Sequence, residues 1–257
     1  MRVTVLGCGP SAGVPMVGCS CAVCTSTQPR NRRLRSSIVA AEGETQILVD
    51  SAPDLREQLL ANKISRLDAI IYTHGHADHL HGLDDLRSIN HLMNRALPAY
   101  GDEATLTELR SRFGYAFNNP GQRNGFWYQP KLEARPIRAS FRVGELDIRP
   151  FAQSHGVMRD STLGLRFGDF AYSTDVKEIP EEGFQALEGV KVWVVDCLSE
   201  RPNPAHSDLK QTLAWIARVK PQRAILTHMN HSLDYDALVA KLPEGVEPAY
   251  DGMVIDV

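Results

Sequence analysis

The sequence predicts a single α/β domain in which strands and helices are layered into a sandwich. Its 257 residues are 43% hydrophobic and 23% charged, which suffices for a full core and does not fit a disordered chain. Strand-like runs alternate with helical patterns throughout, without an internal repeat or a linker that would divide residues 1–257. Hairpin and crossover connections are both expected, which favours a mixed α/β sandwich over a purely parallel sheet.

In the first part of the chain, short apolar runs predict strands at residues 2–6, 37–41, 46–49 and 69–73. A helix is expected to begin after Asp54, which suits the N-cap position, and to end near Asn62. A second helical pattern covers residues 82–94. The strand predicted at residues 69–73 thus ends immediately before a group of histidines.

The second part predicts a β meander over residues 134–172, where apolar and polar residues alternate. Strands at 190–195 and 223–227 enclose an amphipathic helix at 207–219. No strand is followed by Gly-x-Gly-x-x-Gly, and no Gly-x-x-x-x-Gly-Lys-Ser/Thr occurs, so neither nucleotide-binding motif is supported. Residues 118–129 are rich in turn formers and aromatics, and both a surface loop and a lid over a site remain open.

The charge balance argues against a dedicated nucleic-acid binder. Lys and Arg number 28 against 31 Asp and Glu, a net charge of −3. The basic run at residues 30–35 is interpreted as a solvated loop, although it could also meet phosphates. No apolar stretch approaches the length of a membrane helix, and the first residues are strand-like instead of forming a signal peptide, so a cytoplasmic protein without a membrane partner is expected.

Four metal-ligand side chains follow the predicted strand at 69–73: His74, His76, Asp78 and His79. The two alternating histidines face one side in extended geometry, while the other two residues begin a helix and can reach a second centre. One metal rarely takes four ligands from so short a segment, so the spacing predicts two metals. Asp50, at the end of another strand, is a candidate acceptor that would orient a ligand histidine, with a helix cap or a surface role as alternatives.

The pattern His-x-His-x-Asp-His resembles the signature of the metallo-β-lactamase superfamily. This resemblance implies an αββα sandwich of the metallo-β-lactamase type, with two mixed β-sheets flanked by helices. It also implies further ligands at the ends of later strands. His155, Asp175 and His228 stand at the expected places, so that the resemblance covers the chain from its first strand to its last.

By this resemblance, His74, His76 and His155 bind one divalent metal, Asp78, His79 and His228 bind the other, and Asp175 bridges the two. Imidazole and carboxylate ligands suit Zn²⁺ or Mn²⁺. Such a pair can hold a bridging hydroxide as the nucleophile at neutral pH. The ligands Asp78 and Asp175 are therefore also counted as catalytic.

The chain has five cysteines, and Cys19, Cys21 and Cys24 are clustered, which in a cytosolic chain indicates metal binding more than disulfides. His231 is a suitable fourth ligand, and the Cys₃His set resembles the PhnP-type phosphodiesterase branch, which implies a structural zinc. A reducible cysteine pair and an unmetallated loop remain alternatives. The remaining thiols, Cys8 and Cys197, are expected to be buried.

The same branch carries an additional active-site histidine in a segment that resembles residues 204–209. His206 would act there as general acid or contact the phosphate, unless it only caps a helix or faces solvent. His81 and His91 fit no ligand position. The resemblance implies hydrolysis of a small, cyclic phosphodiester and is compatible with a homodimer. The alternatives are a tRNase Z-like RNA endonuclease, a thioester or lactam hydrolase, and a non-catalytic metal-dependent binding protein.

Overall fold

The computed structural model describes residues 1–117, 129–158 and 161–257. Two seven-stranded mixed sheets pack face to face, and helices cover the outer sides. The predicted αββα sandwich of the metallo-β-lactamase type is therefore confirmed. Of the proposed lid at 118–129, residues 118–128 lie outside the described residues, so the lid stays a prediction.

The first sheet is formed by β1 (Arg2–Gly7), β2 (Ser37–Glu42), β3 (Thr45–Val49), β4 (Ala69–Ile71), β5 (Leu97–Gly101), β6 (Leu132–Pro136) and β14 (Val254–Asp256). Its order is β14-β1-β2-β3-β4-β5-β6. The pairs from β14 to β3 are antiparallel, and those from β3 to β6 are parallel. Crossovers through helices make the parallel half possible.

The second sheet is formed by β7 (Phe141–Val143), β8 (Leu146–Gln153), β9 (Thr162–Phe167), β10 (Phe170–Ser173), β11 (Val192–Asp196), β12 (Arg223–Thr227) and β13 (Val246–Pro248). Its order is β13-β12-β11-β10-β9-β8-β7, antiparallel from β7 to β10 and parallel beyond. The predicted meander at 134–172 is correct for β7 to β10. Its first residues are wrong, because they belong to β6, which pairs with β5 in the other sheet.

The helices are α1 (Leu55–Ala61), α2 (Ala77–Leu80), α3 (Leu86–Met93), α4 (Glu103–Phe117), α5 (Glu181–Leu187), α6 (Leu209–Val219) and α7 (Tyr235–Lys241). Within the described residues, none of them has the length and apolar character that crossing a membrane requires. The helix predicted at 82–94 divides into a 3₁₀ turn (Leu83–Asp85) and α3. Asp54 occupies the N-cap position of α1 but caps nothing, because its carboxylate accepts a hydrogen bond from the Arg35 N–H at 2.8 Å.

The strands are buried on both faces, which produces two cores. In β3, Ile47 and Val49 face the space between the sheets, whereas Leu48 faces the helices on the outside of the first sheet. Leu55 of α1 and Leu86 of α3 join that outer core. Both cores hold the first sheet rigidly, so a side chain at a strand end has a fixed position.

The direction of the strands decides where polar side chains can converge. In the first sheet β3 and β4 are parallel. In the second sheet β10, β11 and β12 are parallel, and β8 shares their direction because β8 and β10 are both antiparallel to β9. Carboxyl ends of such strands meet at one edge of a sheet, which is where ligand sites form in mixed α/β folds.

Candidate dinuclear metal centre

The first sheet supplies four clustered side chains from one short segment. After β4 the chain leaves the sheet in extended conformation, and His74 and His76 follow two residues apart. α2 begins directly afterwards and presents Asp78 and His79. His74 and His79 are fully buried, whereas His76 and Asp78 are partly exposed.

The second sheet supplies three side chains from three strand ends. His155 follows β8, Asp175 follows β10 and His228 follows β12, and each is at most 2% exposed. Asp175 and His228 have positive φ angles of 53° and 57°. This left-handed backbone turns the chain sharply out of the strand and directs both side chains toward the first sheet.

The side chains of both sheets meet in two groups, each with ligand atoms within 4.8 Å of one another. One group is His74, His76, His155 and Asp175, and the other is Asp78, His79, Asp175 and His228. Asp175 belongs to both: its Oδ1 lies 3.5 Å from Nε2 of His155 and 3.4 Å from Nε2 of His228. The structure therefore divides the seven residues in the way that the resemblance implies.

Unpartnered nitrogen atoms show that this donor set fits divalent cations. The Nε2 atoms of His74, His79 and His228 are buried and make no hydrogen bond. Such atoms are costly unless something binds them. The Nδ1 atoms of His74 and His155 lie 3.0 Å from Thr73 Oγ1 and 2.7 Å from the Ala205 carbonyl, the outer contacts that fix a ligand histidine.

Asp50 orients two of these histidines from behind. Its carboxylate is fully buried, and Oδ2 lies 2.7 Å from Nδ1 of His79. The Thr73 hydroxyl donates to the same oxygen at 2.8 Å and is itself in contact with His74. Burial raises the pKa of Asp50, although the neighbouring His79 opposes this shift. Of the roles considered for Asp50 from sequence, the structure shows the one of an acceptor behind a histidine.

His206 and Asp196 form a pair on the side of the second sheet. The carboxylate of Asp196, fully buried at the end of β11, lies 3.0 Å from Nδ1 of His206 and accepts the Val176 N–H at 2.9 Å. The other Asp196 oxygen is 3.9 Å from Nδ1 of His228. Burial disfavours the charged imidazole, but Asp196 outweighs this and raises the pKa of His206 to about 9.

Sequence reasoning missed Asp196. Its signal was available, since a carboxylate that directly follows the apolar run 190–195 stands in the same relation to its strand as Asp50 does. What the sequence does not reveal is the partner, because the fold of the loop after β11 decides that His206, ten residues further on, returns to Asp196.

His206 and members of both ligand groups line one cavity of about 430 Å³. The His206 ring stands in its wall, with its centroid 4.5 Å from that of His155 and 4.7 Å from that of His228. The further lining residues are Pro10, Ser11, His76, Ala77, Asp78, Met158, Asp175, Leu198, Asn203 and Ala205. A larger cleft of about 640 Å³ lies at the β7 edge of the second sheet and includes none of the clustered ligands.

The cysteines gather in the loop after β1. The sulfur atoms of Cys19, Cys21 and Cys24 lie within 4.8 Å of one another. The N–H of Cys24 donates to Sγ of Cys21 at 3.4 Å, which lowers the pKa of Cys21, whereas burial raises the pKa of Cys24 to about 11. His231 approaches with its carbonyl oxygen, 3.7 Å from Sγ of Cys21, and its imidazole is not in the group. Its role as fourth ligand stays a prediction.

The other cysteines and histidines considered from sequence lie outside these groups. Cys8 and Cys197 are buried, as expected. Among the described residues neither His81 nor His91 joins a ligand group. The His81 ring packs edge-on against Phe113, 5.5 Å between centroids.

The interpretation of residues 30–35 as a solvated loop is wrong for most of the run. Arg33 is 1% exposed, and its guanidinium donates to the carbonyls of Asn230 at 2.9 Å and Leu233 at 2.6 Å. Arg30 lies over the Tyr235 ring. The Arg33 guanidinium thus finds its hydrogen-bond acceptors in the segment after His228. These contacts connect that segment to the loop that carries the cysteines.

Comparison with known proteins agrees with the geometry. Residues 45–229 match the family model described as beta-lactamase superfamily domain. A solved structure described as a new diphosphatase from the PhnP family superposes with a TM-score of 0.91 at 34% identity, covering 100% of this chain and 97% of the other. Zn²⁺-bound PqqB from Methylobacterium extorquens superposes with a TM-score of 0.82 at 18% identity and full coverage of both chains, a likeness of fold alone.

Among curated proteins, the octanoyltransferase of Porphyromonas gingivalis is 33% identical over 258 residues, which is 98% of this chain but 51% of that relative. The PqqB protein of Methylobacterium radiotolerans matches over 34% of its length. The chain thus spans about half or less of the curated relatives it matches. The family model, the two sheets and the two ligand groups agree, and the chain belongs to the beta-lactamase superfamily.

Proposed function

We propose that the protein is a dinuclear metal-dependent hydrolase of small, cyclic phosphodiesters. The observation that carries the proposal is the pair of ligand groups sharing Asp175 in a cavity whose wall also holds His206. A cavity of about 430 Å³ lies within the roughly 300–1,000 Å³ of small-molecule sites. The similarity to a PhnP-family diphosphatase supports phosphoryl chemistry at this site.

The seven clustered side chains would hold two cations, Zn²⁺ or Mn²⁺, because imidazole suits zinc and carboxylate suits manganese. Bound there, such cations lower the pKa of water and neutralise charge on a phosphoryl oxygen. Asp50 holds His79 in place, so that Nε2 faces the cation. The protein's part is thus to fix the ligands before the substrate arrives.

His206 supplies the proton that hydrolysis needs. Water adds to phosphorus, one ester P–O bond breaks, and the leaving alkoxide must be protonated. Because Asp196 engages Nδ1 of His206, the imidazole presents Nε2 to the cavity. Asp196 is a positioning residue, since it acts through His206 and not on the substrate.

We also propose that Cys19, Cys21 and Cys24 bind a structural zinc with His231. The support is the convergence of three sulfur atoms and the backbone N–H groups directed at them. The His231 imidazole would have to move to complete this site, because it is not in the group that the three sulfur atoms form. A closed four-ligand site has no open position and would stabilise the loop without taking part in hydrolysis.

A second candidate, hydrolysis of an acyl thioester, is favoured by one observation, the 33% identity to a protein named octanoyltransferase. RNA cleavage has less support: the arginines of residues 30–35 that could meet phosphates are largely buried or paired within the protein. The likeness to human tRNase Z, at 17% identity, is one of fold.

The test compares four substrates with Mn²⁺, with Zn²⁺ and with a chelator: bis(p-nitrophenyl) phosphate, a 2′,3′-cyclic nucleotide, an octanoyl thioester and a precursor tRNA. We expect metal-dependent hydrolysis of the two small diesters, with the thioester and the tRNA unchanged. A diphosphate diester is added to the panel to test whether the protein also hydrolyses a phosphoanhydride bond. Turnover of the thioester or the tRNA alone, or of no substrate, would contradict the proposal.

A further inference from the structure

One polar side chain in the cavity wall belongs to neither ligand group. Asn203 lies in the loop between β11 and α6, three residues before His206. Its Oδ1 accepts hydrogen bonds from the N–H groups of Ala205 at 2.8 Å and His206 at 3.1 Å. Since two donors meet at this oxygen, the other end of the amide is the NH₂ group. That Nδ2 donates no hydrogen bond to another described residue.

The other polar groups around the cavity are mostly unsuited to holding an anion. Asp78 and Asp175 are carboxylates, and His155 and His228 direct Nε2 toward Asp175. Among the described lining residues, the hydrogen-bond donors left for an anionic substrate are His206, Asn203 and Ser11. Ser11 is exposed, whereas Asn203 is anchored at two points.

The anchoring makes Asn203 a preorganised donor. Its side chain is already ordered by the loop, so binding a substrate costs it little rotamer entropy. A phosphodiester has two non-bridging oxygens that share one negative charge and become more basic as the nucleophile approaches. A hydrogen bond to such an oxygen is charge-assisted and stronger than a neutral one.

We propose that Nδ2 of Asn203 binds a non-bridging phosphoryl oxygen and positions the diester for attack. This role is additional to that of His206, which protonates the leaving oxygen, and it rests on the proposed function. It assigns Asn203 two separate tasks: Oδ1 shapes the loop that presents His206, and Nδ2 recognises the charged group of the substrate.

Two variants separate these tasks. Asn203→Ser and Asn203→Asp both keep an oxygen that can accept the loop N–H groups, and both remove the NH₂ group. We expect kcat/KM for a diester to fall by about 10–100-fold in either variant, as for loss of a hydrogen bond to a charged group. Asn94→Asp is the control, because it adds the same charge at an exposed helix end outside the cavity.

The sharper measurement uses the p-nitrophenyl ester of thymidine 5′-phosphate and its two phosphorothioate diastereomers. Sulfur accepts hydrogen bonds poorly, so we expect the wild type to discriminate against the diastereomer whose sulfur faces Asn203. In the Asn203 variants that penalty should largely vanish, while the effect of sulfur at the other position stays.

The outcomes are distinguishable. Variants that turn over the oxygen ester like the wild type, or that slow all three esters equally and retain the diastereomer preference, would overturn the role of Asn203 alone. A wild-type enzyme that hydrolyses none of the esters with added Mn²⁺ or Zn²⁺ would overturn the proposed function and this role with it. Unchanged thermal unfolding of both variants shows that the protein as a whole remains folded.

Discussion

The His/Asp centre and the cysteine loop are both clusters of metal-ligating side chains, but they are built differently. The centre takes its residues from strand ends and from α2, and all but His76 and Asp78 are at most 2% exposed. The cysteines lie in a loop without regular structure, where only Cys24 is buried. The centre also has a buried acceptor, Asp50, behind His79, and the buried Asp196 holds His206 beside it.

The difference shows what each region can do. Side chains on rigid strand ends keep their geometry without a metal. A reaction that depends on fixed distances between ligand atoms requires this. The three thiols lie on a segment without a strand or helix, which the contacts of Arg33 anchor, so the proposed zinc would add order to it. Substitutions in the centre should therefore affect turnover most, and substitutions in the cysteine loop should affect stability.

The largest effect is expected for Asp175→Asn. This change removes the carboxylate that both ligand groups share, so we expect both cations to bind weakly and diester turnover to fall below detection. Metal content by elemental analysis and hydrolysis of bis(p-nitrophenyl) phosphate measure the two effects. A variant that retains two metals and full turnover would show that Asp175 does not bridge.

The next effect is expected for His206→Ala. Loss of a general acid costs about 10²–10⁴-fold in kcat, and the loss should be larger for an alkyl leaving group than for p-nitrophenolate, which needs no proton. Asp196→Asn should show the same leaving-group dependence with a smaller loss, since the imidazole remains. Equal losses on both leaving groups would show that His206 does not donate the proton.

Asp50→Asn tests the outer contacts of the centre. The amide cannot satisfy the three donors that now meet the carboxylate, so metal affinity should fall by about 10–100-fold, as for other residues behind metal ligands. Competition with a chelator measures the affinity, and excess metal should restore much of the turnover. Asp54→Asn, which alters a carboxylate paired with Arg35, is the control.

The smallest effect on turnover is expected for Cys24→Ser. We expect one zinc fewer per chain and a lower melting temperature, by about 2–4 °C for each kcal/mol lost in a protein of this size. Turnover per folded chain should stay unchanged. Cys197→Ala, at a buried thiol outside the cluster, should retain its zinc. Equal zinc content in Cys24→Ser and the wild type would contradict the structural site.

The ligand segments could be predicted because their information is local. The pattern at residues 74–79 follows a strand directly, and His155, Asp175 and His228 each follow one too. The sheet membership of β6 could not be predicted, since it depends on pairing with β5. β5 itself contains Pro98 and Gly101 and is a strand because two neighbours pair with it.

Contacts between residues that are distant in sequence could not be predicted either. The burial of Arg33 depends on carbonyls about 200 positions away, and a buried arginine is rare enough that a solvated one is the reasonable expectation. The partners of Asp196 and Asn203 are also set by loop geometry. Sequence thus predicted which side chains cluster more readily than which residues hold them in place.

The left-handed backbone at Asp50, Asp175 and His228 has a consequence for engineering this protein. A residue with a side chain pays roughly 1–2 kcal/mol for that conformation, although Asp and His tolerate it better than most. Three such positions surround one centre, so the backbone conformation there opposes thermodynamic stability. A screen that selects only for heat resistance would therefore tend to recover glycine at positions 175 and 228, where it relieves the backbone conformation but removes two of the clustered side chains on which the proposed reaction depends.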